Sequence, residues 1–182
     1  MRITTLLLSL CLHLCVDAQG RNYWHHVKRQ ATPAALWYTS GFFDGAADMM
    51  RDKYSVSIFP QQPGQKWLGK DRSYWNPGES WVRKYRDWPN DTRAAFPGAK
   101  TWAVSLTDGW HLAKTLHLKA AQAATVMYRP PQEIRHWQPV YVGQPPPTRV
   151  KPRWWWPLAD AALMSLSFSA GWHTAEALIR TD

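Results

Sequence analysis

Residues 100–131 read KTWAVSLTDGWHLAKTLHLKAAQAATVMYRPP. From about Lys100 to Tyr128 this stretch predicts one long helix. It stops at Arg129-Pro130-Pro131, where backbone donors are lost and the chain is forced into an extended form. Upstream, Pro33 to about Asp52 predicts a second long helix, with Pro33 suited to an N-terminal turn and Leu36, Trp37, Phe42, Phe43, Met49 and Met50 as its apolar residues. Gly41 and Gly45 are its few breakers. Downstream, Pro157 to about Arg180 predicts a third, again with proline at the start.

Each helix is long enough to cross a bilayer, but none is cleanly apolar. Asp44 and Asp48 interrupt the first, Asp108, Lys114 and Lys119 the second, and Asp160 and Glu176 the third. The expected fold is therefore mainly α: a small bundle of about three long helices, with a long irregular aromatic loop at 54–99 and a proline-rich linker at 129–156. That linker region, to Pro157, holds 8 of the 14 prolines and reads as a polyproline-like spacer. The organisation is a signal peptide at 1–18, a helical domain at 19–128, the linker, and a C-terminal helix at 157–182 packing on the same bundle.

The signal peptide rests on Met1 and Arg2 as a positive start and on the apolar run Ile3 to Val16. Val16-Asp17-Ala18 supplies the small-x-small pattern for cleavage before Gln19. Both cysteines, Cys11 and Cys15, lie inside it, so the expected mature chain has no thiol for disulfides, thiolate catalysis or metal binding. Cleavage removes one cation, Arg2, and one anion, Asp17, which leaves the net charge of +9 unchanged. An exported chain this basic meets anionic lipid headgroups or wall polymers rather than nucleic acid.

Thirteen tryptophans in 182 residues are several times ordinary usage. Such rings suit a membrane interface and equally a sugar-stacking platform. Trp154-Trp155-Trp156, flanked by Lys151 and Arg153, is ordered like an interfacial aromatic belt ahead of the third helix. Ala159, Ala162, Ser165, Ser169 and Ala170 give that helix a small-residue face for close approach of a neighbour.

The chemistry-bearing residues lie on the helices. Asp108 and His111 share one face of the second helix, continued by Thr115, Lys119 and Gln122. Ser40, Asp44 and Asp48 form a comparable stripe on the first helix, and Asp160, Ser167, Gly171 and Thr174 on the third. Gly109-Trp110-His111-Leu112-Ala113 is echoed by Gly171-Trp172-His173-Thr174-Ala175. If the stripes converge, Asp44, Asp108 and His111 are the candidate catalytic residues, and with His173 the candidate ligands of a divalent metal, since imidazole and carboxylate suit Zn, Mn or Fe. A network of buried hydrogen bonds with no site is the plainer expectation, and no cofactor is required by the sequence. No nucleophile elbow or phosphate-binding glycine loop is present.

In the aromatic loop, Asn76-Pro77-Gly78 reads as a turn, capped by Asn76 or Ser80, that groups the residues after it. Trp75, Asn76, Glu79, Trp81, Lys84 and Tyr85 are the candidate binding residues, with Trp75, Trp81 and Trp88 as the stacking surfaces.

Gly41-Phe42-Phe43-Asp44-Gly45, Tyr74-Trp75-Asn76-Pro77, Ser80-Trp81-Val82-Arg83-Lys84-Tyr85, Phe96-Pro97-Gly98 and Leu106-Thr107-Asp108-Gly109-Trp110-His111-Leu112 occur in this order. In this the chain resembles a group of short, uncharacterised bacterial proteins expected to be exported or membrane-embedded, over about residues 36–118. The resemblance implies an envelope protein at the inner membrane or in the periplasm, and it implies no activity. The leading expectation is a scaffold or accessory subunit whose partners are membrane lipids or another envelope protein. The alternatives are a secreted module that binds cell-wall glycan and a metal-dependent hydrolase of lipid or wall substrates.

Overall fold

The computed structural model describes residues 26–131, 134–135, 149–150 and 154–181. The expected signal peptide at 1–18 lies outside the described residues, as does much of the linker at 129–156. The fold is mainly helical. Its long elements are α1 (Ala31–Asp52), α4 (Gly109–Met127) and α5 (Trp156–Ile179). Between α1 and α4 lie the strands β1 (Lys66–Trp67) and β2 (Lys70–Asp71), the single turns α2 (Arg72–Trp75) and α3 (Pro77–Ser80), and the strands β3 (Tyr85–Asp87) and β4 (Asp91–Ala94).

Two helix starts follow from proline. Pro33 falls in the first turn of α1 and Pro157 at the start of α5, where the missing N–H would have had no helical partner. The start of α4 is a correction. The expected helix from Lys100 begins only at Gly109; residues before it form turns and a 3-10 helix at Val104–Leu106. Gly98, at φ +83°, opens those turns, and the Asp108 side chain accepts from the His111 N–H and fixes the helix start there.

Ser40 meets His117 and Asp44 meets Lys114, so α4 runs antiparallel to α1. Gly41 meets Phe168 and Gly45 meets Trp172, so α5 runs parallel to it. The glycines set how closely the helices approach. A Cβ on Gly41 would overlap the Phe168 carbonyl, one on Gly171 would overlap the Tyr38 carbonyl, and one on Gly45 would lie 2.7 Å from the Trp172 carbonyl oxygen. The two expected breakers of α1 are thus the contact that joins α1 to α5. The small-residue face predicted for that contact is displaced: Ala162, Ser165, Ser169 and Ala170 are exposed.

Residues 54–99 are not one loop hanging off the bundle. Ile58 donates to the Ile179 carbonyl and Thr181 to the Val56 carbonyl, which pins the start of the segment to the end of α5. From there Phe59, Tyr74 and Trp75 turn inward and join Met49, Met50, Ala113 and Ile179 in the core. The core therefore sits at one end of the bundle, where burial of these large rings contributes most.

Within the expected linker, β5 (Ile134–Arg135) pairs antiparallel with β6 (Arg149–Val150). Of the expected tryptophan belt, Trp154 is exposed, but Trp156 is buried as the first residue of α5. No described helix is long and apolar enough to cross a membrane. This agrees with the charges that interrupt all three in the sequence.

Candidate functional site

Between the three long helices and the β1–β2 hairpin the fold builds an apolar cavity of about 310 Å³. Phe42, Ala46 and Met50 come from α1, Leu112, Ala113 and Leu116 from α4, and Leu178 and Ile179 from α5. Phe59, Trp67 and Trp75 close it from the loop, their rings interlocked with centroids 4.6–5.3 Å apart. Its volume is at the lower end of the ~300–1,000 Å³ typical of small-molecule sites. Four lining residues reach solvent: Leu68 is 75% exposed and Leu178 64%, with Ile58 and Leu116 beside them.

Trp75 was a candidate stacking surface, and the structure corrects that reading. It is buried in the core, its indole N–H donates to the Trp67 carbonyl at 3.1 Å, and one of its ring edges fills the space that Gly109 leaves by lacking a Cβ. Asn76 caps α3 through the Gly78 N–H, as expected, and Glu79 pairs with Arg72. Glu79 nevertheless stays exposed and Asn76 half-buried. Trp81, Tyr85 and Trp88 do form a solvent-facing cluster, with Trp81 and Trp88 centroids 5.0 Å apart and the Lys84 ammonium over the Tyr85 ring.

Asp108 and His111 meet at the first turn of α4. The buried carboxylate accepts from His111 Nδ1 at 2.7 Å, from the His111 N–H at 2.8 Å and from the Thr107 hydroxyl at 2.9 Å. Burial pushes this carboxyl up, but the His111 and Thr107 donors outweigh it and hold it below its ordinary value. The imidazole is thereby oriented, as a carboxylate-held general base or metal-binding histidine would be.

Asp44 does not join that pair. Lys114 Nζ stands 2.5 Å from it and 3.7 Å from Asp48, so the α1 stripe already has its cation. His117, which the sequence reading passed over, lies in the same seam. Its Nδ1 is 3.0 Å from Ser40 Oγ and 4.0 Å from Asp44. Ser, His and Asp are thus neighbours, but hydroxyl and carboxylate both address the same ring nitrogen, so no Ser-His-Asp relay is formed. Buried Ala113, Ala120 and Ala124 share the spacing of His117 along α4, which is the signal that could have placed it on the bundle face.

Asp160 anchors a second buried cluster. His26 Nε2 donates to it at 2.7 Å, the Tyr128 hydroxyl at 3.0 Å, and Gln30 Nε2 at 3.5 Å. The Gln30 amide also donates to the Arg129 carbonyl at 2.5 Å, which fixes its orientation. Burial and Asp160 together push the Tyr128 phenol up to about 12.

The expected metal set is not assembled. His173 is 69% exposed beside Glu176, Asp44 is matched to Lys114, and only Asp108 and His111 come together. Among the described residues no group of three or more His, Cys, Asp or Glu side chains is placed to hold a metal ion. The echoed pentapeptides share only local geometry: each Trp–His pair is edge-on at 5.0 and 5.2 Å, while Trp172 donates to Asp48 and Trp110 Nε1 has no partner among the described residues. Set against known proteins, the chain matches no family model, no curated protein and no solved structure.

Proposed function

We propose that this chain is a helical accessory protein or scaffold of a bacterial envelope that lies against the membrane surface without crossing it. The observation that carries this reading is the exposed apolar rim of Leu68, Leu178, Ile58 and Leu116 around an apolar cavity, on a chain of net charge +9. Contiguous exposed apolar residues mark interaction surfaces, and basic chains are drawn to anionic leaflets. The N-terminal signal pattern and the resemblance to exported bacterial proteins support the envelope.

The test is flotation of the purified chain with vesicles and, in cells, extraction of membranes with high salt and carbonate. The reading expects flotation with vesicles that contain anionic lipid and release on washing. Recovery of the untreated protein wholly in the soluble fraction overturns it.

A second reading, a glycan-binding module, is favoured by Trp81 and Trp88, which stay about two-fifths exposed although ring stacking could have buried them. Tryptophan emission that is unmoved by peptidoglycan fragments and polysaccharides removes that reading.

A further inference from the structure

We propose that the cavity takes one acyl chain of an anionic phospholipid from the bilayer surface, admitted beside the turn between β1 and β2. The proposal rests on the membrane-surface reading above and gives it a ligand.

The walls select for hydrocarbon. Phe42, Ala46, Met50, Phe59, Trp75 and Ala113 present almost no polar surface to the cavity. A polar ligand finds nothing there to bond, and water needs two or more polar partners to be held. A methylene chain needs neither.

The mouth selects for a bilayer. Leu68 and Gly69 form the two-residue turn of the hairpin with φ of 50° and 74°. Positive φ at both positions is the geometry for which Asn-Gly is favoured, and leucine is disfavoured there by its Cβ. The same leucine is three-quarters exposed at the cavity rim. Its turn cost is the same in water and in lipid, but the cost of exposing its side chain to water is removed once that side chain enters lipid. Lys66 and Lys70 flank the turn, both exposed, and neither lies within ion-pair distance of an anion among the described residues. Paired residues share a face of a hairpin, so Lys70, opposite Trp67, stands on the cavity side of the turn, and Lys66, opposite Asp71, on the other. Lys70 beside the mouth, on a chain of net charge +9, commits the occupant to an anionic lipid.

The experiment uses the full chain with vesicles of phosphatidylcholine alone or of equimolar phosphatidylcholine and phosphatidylglycerol, the latter also with brominated acyl chains. Expected are binding to the anionic vesicles, quenching of tryptophan emission by the brominated chains that falls in Trp67→Phe, and about a tenfold loss of affinity in Leu68→Asn. Leu68→Asn suits the turn, so it keeps the fold. Lys66→Gln with Lys70→Gln is expected to remove the preference for the anionic vesicles. Failure of the wild-type chain to bind either vesicle overturns both the surface reading and this inference. Binding that Leu68→Asn leaves intact, without quenching from the acyl region, overturns this inference and keeps the surface reading. Self-association without lipid that Leu68→Asn abolishes assigns the rim to a second copy of the chain and likewise overturns it.

Discussion

His26 Nε2 lies 2.7 Å from one oxygen of Asp160 and 2.9 Å from the other, although 134 residues separate them. Both side chains are almost wholly buried, so this contact joins the segment before α1 to the second turn of α5 in a low-dielectric setting. Asp160→Ala removes the acceptor of His26, Tyr128 and Gln30 together and is expected to cost roughly 3–5 kcal/mol, read from urea unfolding. His26→Leu with Asp160→Leu should cost less than the sum of the single changes, because it leaves no stranded charge.

The alkaline limb of stability should report Tyr128. Burial first, and then Asp160, raise its phenol from 10 to about 12. A folded value above the unfolded one means that the contribution is whole below about pH 10 and is lost as pH rises toward 12. Burial raises Tyr54 to about 12 as well, so Tyr128→Phe is expected to reduce that limb and to remove one of two late-titrating phenols from the absorbance.

Asp108 works in the opposite direction. Its folded value is depressed because the His111 and Thr107 donors outweigh burial, so its stabilisation is present above the unfolded value near 3.9 and fades as pH falls through the folded one. Asp108→Asn keeps an N-cap but loses the charge, so it should lessen the acid dependence of the melting temperature. Asp108→Ala should cost about 1–2 kcal/mol at neutral pH through loss of the cap.

The helix contact predicts unequal glycine substitutions. Gly41→Ala and Gly171→Ala each place a methyl group on the backbone of the facing helix, which cannot yield as a side chain would, and about 3 kcal/mol or more of destabilisation is expected. Gly64→Ala meets no neighbour within 4 Å and is penalised only by its φ of +86°, about 1–2 kcal/mol. Paired denaturation curves give the difference.

The three long helices were legible in the sequence because prolines punctuate the starts of α1 and α5 and, at Arg129-Pro130-Pro131, the end of α4. The start of α4 was misread since the turn residues between Gly98 and Asp108 carry no breaker as strong as proline; Thr107-Asp108 ahead of Gly109 was the capping signal. Trp75 looked like a surface ring because α2 is a single turn without periodicity, and nothing local says that Phe59 and Trp67 await it. The candidate site was half legible. Asp108 and His111 are close in sequence and do meet, whereas the partner of Asp44 depends on helix rotation, which brings Lys114 and His117 to it instead of Asp108.

The strand pair of Ile134–Arg135 with Arg149–Val150 brings Arg135 and Arg149, 14 positions apart in sequence, side by side. Doubling the number of residues that such a pair closes off adds only about 0.6 kcal/mol of ordering entropy, so variants with inserts between Arg135 and Arg149 should keep their helix content by circular dichroism.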